Sequence, residues 1–131
     1  MNRIRGGLSV DAPLRLVVLF GSRSTGRARP GSDVDIAIVP RDPGWSIWEE
    51  GQLAARLESA LGLSVDIVRL DLASTLLSWE VVKTGVLVCA ETPEDWTRIV
   101  VSVMAEHADF APLAERTARS FFRRVAESRV P

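Results

Sequence analysis

The apolar positions of the chain fall into short runs separated by helical patterns. Leu14 to Phe20 is an apolar run that stops at Gly21, which predicts a buried strand. Val34 to Val39 is a second strand, with Asp33 and Asp35 at its start. Leu63 to Leu70 alternates, Val65 and Ile67 set against Ser64 and Asp66, and Val86 to Cys89 is a fourth short strand. Between them, Ser22 opens a polar stretch that fits a short helix ending near Gly26. Trp45, Trp48, Leu53, Leu57 and Leu61 share a helical spacing that stops at Gly62. Asp71 or Ser74 caps a further helix to about Thr84, ended by Gly85. Thr92-Pro93-Glu94-Asp95 starts another, with Trp96, Ile99, Val100, Val103 and His107 on one face. Pro112 breaks it, and a last helix from about Leu113 to Glu127 carries Phe121, Phe122 and Val125. Strands alternating with helices make this an α+β or α/β domain.

Composition narrows the picture further. At 131 residues and 47% hydrophobic, one domain with a real core is expected. The net charge of -1 supplies no strong nucleic-acid or membrane signal. Lys83 is the only lysine, so any basic site is built from guanidinium groups, which suit phosphate. Cys89 is the only cysteine, which excludes an internal disulfide. Its apolar neighbours predict a buried, inert thiol, and a reducing cytoplasm is the default compartment. Residues 1–7 hold no apolar core, so no signal peptide is expected, and no segment is apolar enough to span a bilayer.

The informative chemistry runs from Gly21 to Asp35. A strand ending in glycine lets the backbone turn sharply and approach a ligand closely. The helix that follows directs backbone N–H groups at that place, a setting that attracts phosphate. Ser22 adds a hydroxyl there, and Arg23 and Arg27 can add charge. Asp33 and Asp35, two apart on a strand, put both carboxylates on one face. Such a pair repels unless a cation sits between the two, and magnesium favours carboxylate, phosphate and water oxygens. Asp66, the acid inside an otherwise apolar strand, is the candidate third carboxylate. Two metals about 4 Å apart would clamp the attacking and leaving oxygens of an in-line displacement. Asp-x-Asp alone is common and solvated, and Gly-Ser alone is an ordinary turn. The combination is the sharp feature: strand, Gly-Ser, ten residues, Asp-x-Asp, strand, lone strand acid.

At these residues the chain resembles the nucleotidyltransferase superfamily typified by DNA polymerase β. In particular it is similar to the minimal nucleotidyltransferase (MNT) proteins partnered with HEPN proteins in prokaryotic toxin–antitoxin pairs. The likeness spans about Leu14 to Leu70, and Glu80 to Val88 looks like the family's next helix and strand. It implies a mixed sheet of about four strands flanked by helices, with C-terminal helices. The expected layout is one domain over 1–131, its catalytic core at about 12–92 and a helical extension at about 93–128. The resemblance also implies ATP as substrate, two Mg²⁺ ions, and transfer of AMP to a hydroxyl with release of pyrophosphate. In antitoxin members the acceptor is a tyrosine of the cognate HEPN toxin. Carried over, Gly21 and Ser22 hold the triphosphate, Asp33 and Asp35 bind both metals, and Asp66 binds the catalytic metal and helps deprotonate the acceptor. One departure is Thr25, where many members have arginine before the second glycine; Arg23 or Arg27 would then compensate.

A core of this size is expected to lack an acceptor domain of its own, which favours a protein acceptor. Two other readings stand beside it: an antitoxin that neutralises by contact alone, and a nucleotidyltransferase acting on a small molecule or RNA. The four tryptophans, Trp45, Trp48, Trp79 and Trp96, all fall in predicted helices and read as core, with Trp45 or Trp48 a secondary candidate for the nucleotide base. His107 reads as a helix-surface or edge residue. Arg116, Arg119, Arg123 and Arg124 form a solvated face that could also meet an acidic partner.

Overall fold

In the computed structural model, residues 2–8, 13–107 and 123–124 are described. Pro112 and most of the expected last helix, with Phe121 and Phe122, lie outside them; Arg123 and Arg124 are helical and exposed.

Four strands form one mixed sheet in the order β3-β2-β1-β4. They are β1 (Leu14–Phe20), β2 (Val34–Pro40), β3 (Val65–Arg69) and β4 (Val86–Ala90). β1 lies inside the sheet, antiparallel to both β2 and β4. That position explains its nearly continuous apolar run: both of its faces are covered. β2 and β3 are parallel, and α3 (Ile47–Leu61) supplies the crossover between them.

Alternation along the strands divides the core in two. On one face Leu16, Val18, Phe20 and Ala37 meet α4 (Thr75–Thr84) and α5 (Pro93–His107) through Val81, Val82, Trp96 and Val100. On the other, Val17, Ile36 and Ile38 meet Leu53 and Leu57 of α3 and Ile4 of α1 (Asn2–Gly7). Leu53 and Leu57 are fully buried, each contributing about 1.5–3 kcal/mol by leaving water.

Helix α1 is a finding that the sequence pattern did not predict. Its Ile4 is buried, and Gly7 approaches α3 so closely that a Cβ would stand 3.0 Å from Leu57 Cδ2. The predicted helix from Trp45 begins two residues later, because the Ser46 side chain caps it by accepting from Glu49 N–H. Trp45 therefore lies in the preceding loop, buried in the α1–α3 core, whereas Trp48 on the helix is exposed. Ser74 is the cap of α4, accepting from Leu77 N–H, and Asp71 belongs instead to a 3-10 turn, Leu70–Leu72. At α5 the reach is reversed from the expected Thr92 cap: the Asp95 carboxylate accepts from the Thr92 amide at 3.2 Å. Trp96 is buried, and His107 at the end of α5 rests on half-buried Trp79, ring centroids 4.3 Å apart.

Cys89, expected to be buried, is exposed on edge strand β4. Partial burial of its thiol still pushes its pKa above the ordinary value, against the nearby Arg5 guanidinium, so thiolate is scarce. Arg5 also donates to the Val88 carbonyl at 3.0 Å, so α1 covers part of that sheet edge. Among the described residues no helix is long and apolar enough to cross a membrane.

Candidate active site

The antiparallel pairing of β1 with β2 places Gly21 and Asp35 side by side, since Phe20 is the direct partner of Asp35. Gly21 has φ 76° and ψ -154°, a backbone region essentially restricted to glycine. It is also sterically required. A Cβ here would collide with Oδ2 of Asp35 and stand 3.3 Å from its Cγ. One residue thus turns the chain out of β1 and leaves room for the carboxylate.

Helix α2 (Ser22–Thr25) is a single turn closed by Gly26 in the left-handed conformation. Two of its three hydroxyls fold inward. Ser24 Oγ donates to the Gly21 carbonyl at 2.7 Å, and Thr25 Oγ1 donates to the Ser22 carbonyl at 3.2 Å. Thr25 therefore braces the turn from within, where an arginine would reach outward.

Parallel pairing of β2 with β3 sets Asp35 directly opposite Asp66. Both share the α4–α5 face with Ala37, and Asp33 lies one residue before β2 on the same side. Burial, then the charges of Asp66 and Asp33, raise the Asp35 pKa above its ordinary value. The three acids thus act on one another. Asp35 is half-buried, and Asp33 and Asp66 are exposed.

A hard divalent cation suits this donor set, and the mutual repulsion at Asp35 is the feature that a cation would relieve. Among the described residues no three such side chains stand close enough to form a complete ligand group by themselves.

Arg23 is placed differently from its expected phosphate role. Its guanidinium donates to the Ser32 carbonyl at 2.9 Å and lines a groove with Leu19 and Val34, which belong to the opposite sheet face. It braces the turn leading into Asp33. Arg27 is exposed, its amide bonded to the Ser22 carbonyl at 3.0 Å. Trp45 follows β2 and is buried with Ile38, Leu53 and Leu57 on the sheet face opposite that of Asp35, so it is not placed to meet a nucleotide base at Gly21, and Trp48 is exposed on α3. A cavity of about 410 Å³ between α4, α5 and the sheet opens at the far end of β2, against Arg15, Val39, Asp71 and Arg98.

Thr84, at the end of α4, was not singled out by sequence pattern. Its Oγ1 accepts from the Gly21 N–H at 3.0 Å. Nothing in a lone helix-terminal threonine announces such a contact 63 residues away in the chain.

The stretch that carries this turn and these carboxylates matches a recognised class of protein. The pattern of the family described as Polymerase beta, Nucleotidyltransferase matches residues 2–94, and the chain is a member of that family. The chain is 46% identical over 74 residues to the protein adenylyltransferase MntA of Shewanella oneidensis, a match covering 55% of this chain and 51% of that one. It thus spans about half the length of that curated relative. Its fold is similar to that of a solved toxin–antitoxin with AMP-PNP, with TM-score 0.67, 33% identity and 89% of each chain covered. It is also similar to a structure of the tri-AMPylated Shewanella oneidensis HEPN toxin in complex with MNT antitoxin, with TM-score 0.61 and 32% identity, covering 89% of this chain and 86% of that one.

Proposed function

We propose that the chain is a protein adenylyltransferase that moves AMP from ATP to a tyrosine hydroxyl of a HEPN toxin and so acts as its antitoxin in the cytoplasm. The observation that carries this reading is the register of Asp35 with Asp66, with the Asp35 carboxylate lodged against Gly21. The identity to an adenylyltransferase and the fold shared with AMPylated toxin complexes support the acceptor class.

In this reading the Gly21-Ser22 turn receives the triphosphate, with the Ser22 hydroxyl and the first amides of α2 as donors. Asp33, Asp35 and Asp66 would hold two Mg²⁺ ions, which neutralise phosphate charge and lower the pKa of the acceptor hydroxyl. Exposed Asp66 borders the open side and takes the proton as the tyrosine oxygen bonds to the α-phosphorus. The bond from that phosphorus to the bridging oxygen breaks, and pyrophosphate leaves. Arg23, engaged with Ser32, keeps Asp33 in place, and Arg27 is the side chain left to meet phosphate.

Intact mass of the HEPN partner after incubation with ATP, Mg²⁺ and this chain tests the proposal. An added AMP mass that disappears with Asp33→Asn or Asp35→Asn is expected. Undiminished toxin neutralisation by both variants, with no adduct in any sample, would establish neutralisation by contact alone.

A further inference from the structure

Thr84 stands between two backbone groups of opposite kind. Gly21 offers an N–H at 3.0 Å and Glu80 offers a carbonyl at 2.9 Å. An amide can only donate and a carbonyl can only accept, so the Thr84 hydroxyl proton points to Glu80 and its lone pair to Gly21. The hydroxyl has one orientation, set by α4.

The helix end that carries Thr84 is itself fixed. A Cβ on the next residue, Gly85, would collide with the Val81 carbonyl and stand 2.8 Å from Val18 Cγ1 and 3.3 Å from Trp96 Cη2. Only a residue without a side chain lets α4 close on β1 and α5 there. The chain of contact runs from the packed end of α4, through Thr84 Oγ1, to the Gly21 amide. At its Cα, where any other residue would carry a side chain, Gly21 meets the Asp35 carboxylate.

We infer that Thr84 is a positioning residue for the phosphate-receiving turn. Its hydroxyl occupies the Gly21 amide and so fixes the direction in which the Ser22 hydroxyl and the first amides of α2 point. Gly21 then contributes room and conformation, and the phosphate contacts belong to Ser22 and the residues after it. This inference rests on the nucleotide-binding reading of the site.

The test compares Thr84→Val, which keeps the shape and loses both hydrogen bonds, with Thr84→Ser, which keeps the hydroxyl. Two readouts are used: binding of α,β-methylene-ATP with Mg²⁺, and hydrogen exchange at the Gly21 amide. Thr84→Val is expected to weaken analogue binding by about tenfold and to speed Gly21 exchange by about tenfold or more. Thr84→Ser is expected to stay within about threefold of the parent in both. Val binding the analogue as the parent does, or Ser losing as much as Val, overturns the inference. So does Gly21 exchange that is equal in the parent and the Val variant. If the parent binds no analogue while Gly21 exchange still separates Val from Ser, the nucleotide reading fails and the Thr84–Gly21 bond stands.

Discussion

The two ends of the sheet carry acids in opposite circumstances. At the far end, where β2 and β4 finish and β1 begins, Glu91 pairs with Arg41 and more loosely with Arg15. There the Asp71 carboxylate takes both arms of Arg69, at 2.6 and 2.9 Å. At the near end Asp33, Asp35 and Asp66 face one another, and among the described residues none of them forms an ion pair. The far end is neutralised from within the fold. The near end leaves Asp35 with a raised pKa, by burial and by its two neighbours. The acids are paired at one end and set against each other at the other, where a bound cation would relieve the repulsion.

Breaking the near end should have the largest consequence. Asp35→Asn or Asp66→Asn is expected to lower AMP transfer by about a thousandfold or more, followed by intact mass of the acceptor. The matching far-end change, Glu91→Gln, is expected to leave transfer within about twofold, because exposed pairs contribute only about 0–1 kcal/mol.

Gly21→Ala is the next largest. It forces an unfavourable backbone region and drives a methyl group into the Asp35 carboxylate. Transfer should fall by about a hundredfold through misplacement of the turn. Gly62→Ala is the control: its φ is also positive, at 68°, but open space surrounds it. That change should cost about 1 kcal/mol in urea unfolding and leave transfer unaltered.

The smallest effect is on stability. A carboxylate whose folded pKa is raised favours the folded state fully below its unfolded pKa, and that contribution is lost as pH rises through the folded value. Removing the charge of Asp35 should therefore stabilise the metal-free protein at neutral pH. Asp35→Asn is expected to raise Tm by about 1–2 °C at pH 7 and by nothing measurable near pH 3. Equal Tm differences at both pH values would show that the repulsion at Asp35 is not the cause.

The sequence exposed the near end better than its surroundings. Gly21-Ser22, Asp33, Asp35 and Asp66 are legible because strand period and residue type act locally, and pairing then brings them together. Which face each neighbour takes is not local. Arg23 sits two residues from Gly21, yet it braces the turn before Asp33 from the opposite sheet face. Trp45 follows β2 in sequence, but it packs on the sheet face opposite that of Asp35. Helix α1 has one apolar anchor, too little for a periodic signal. Cys89 lies in an apolar run, but its exposure depends on β4 being an edge strand.

The contrast between the ends is tested most directly by thermal unfolding during a Mg²⁺ titration with α,β-methylene-ATP present. Ligand at about a hundred times its Kd stabilises the folded state by about 2.7 kcal/mol. The parent protein and Asp71→Asn at the paired end should both gain several degrees, whereas Asp35→Asn and Asp66→Asn should gain almost nothing. Gains in those two variants equal to the parent's would contradict a cation site at the facing carboxylates.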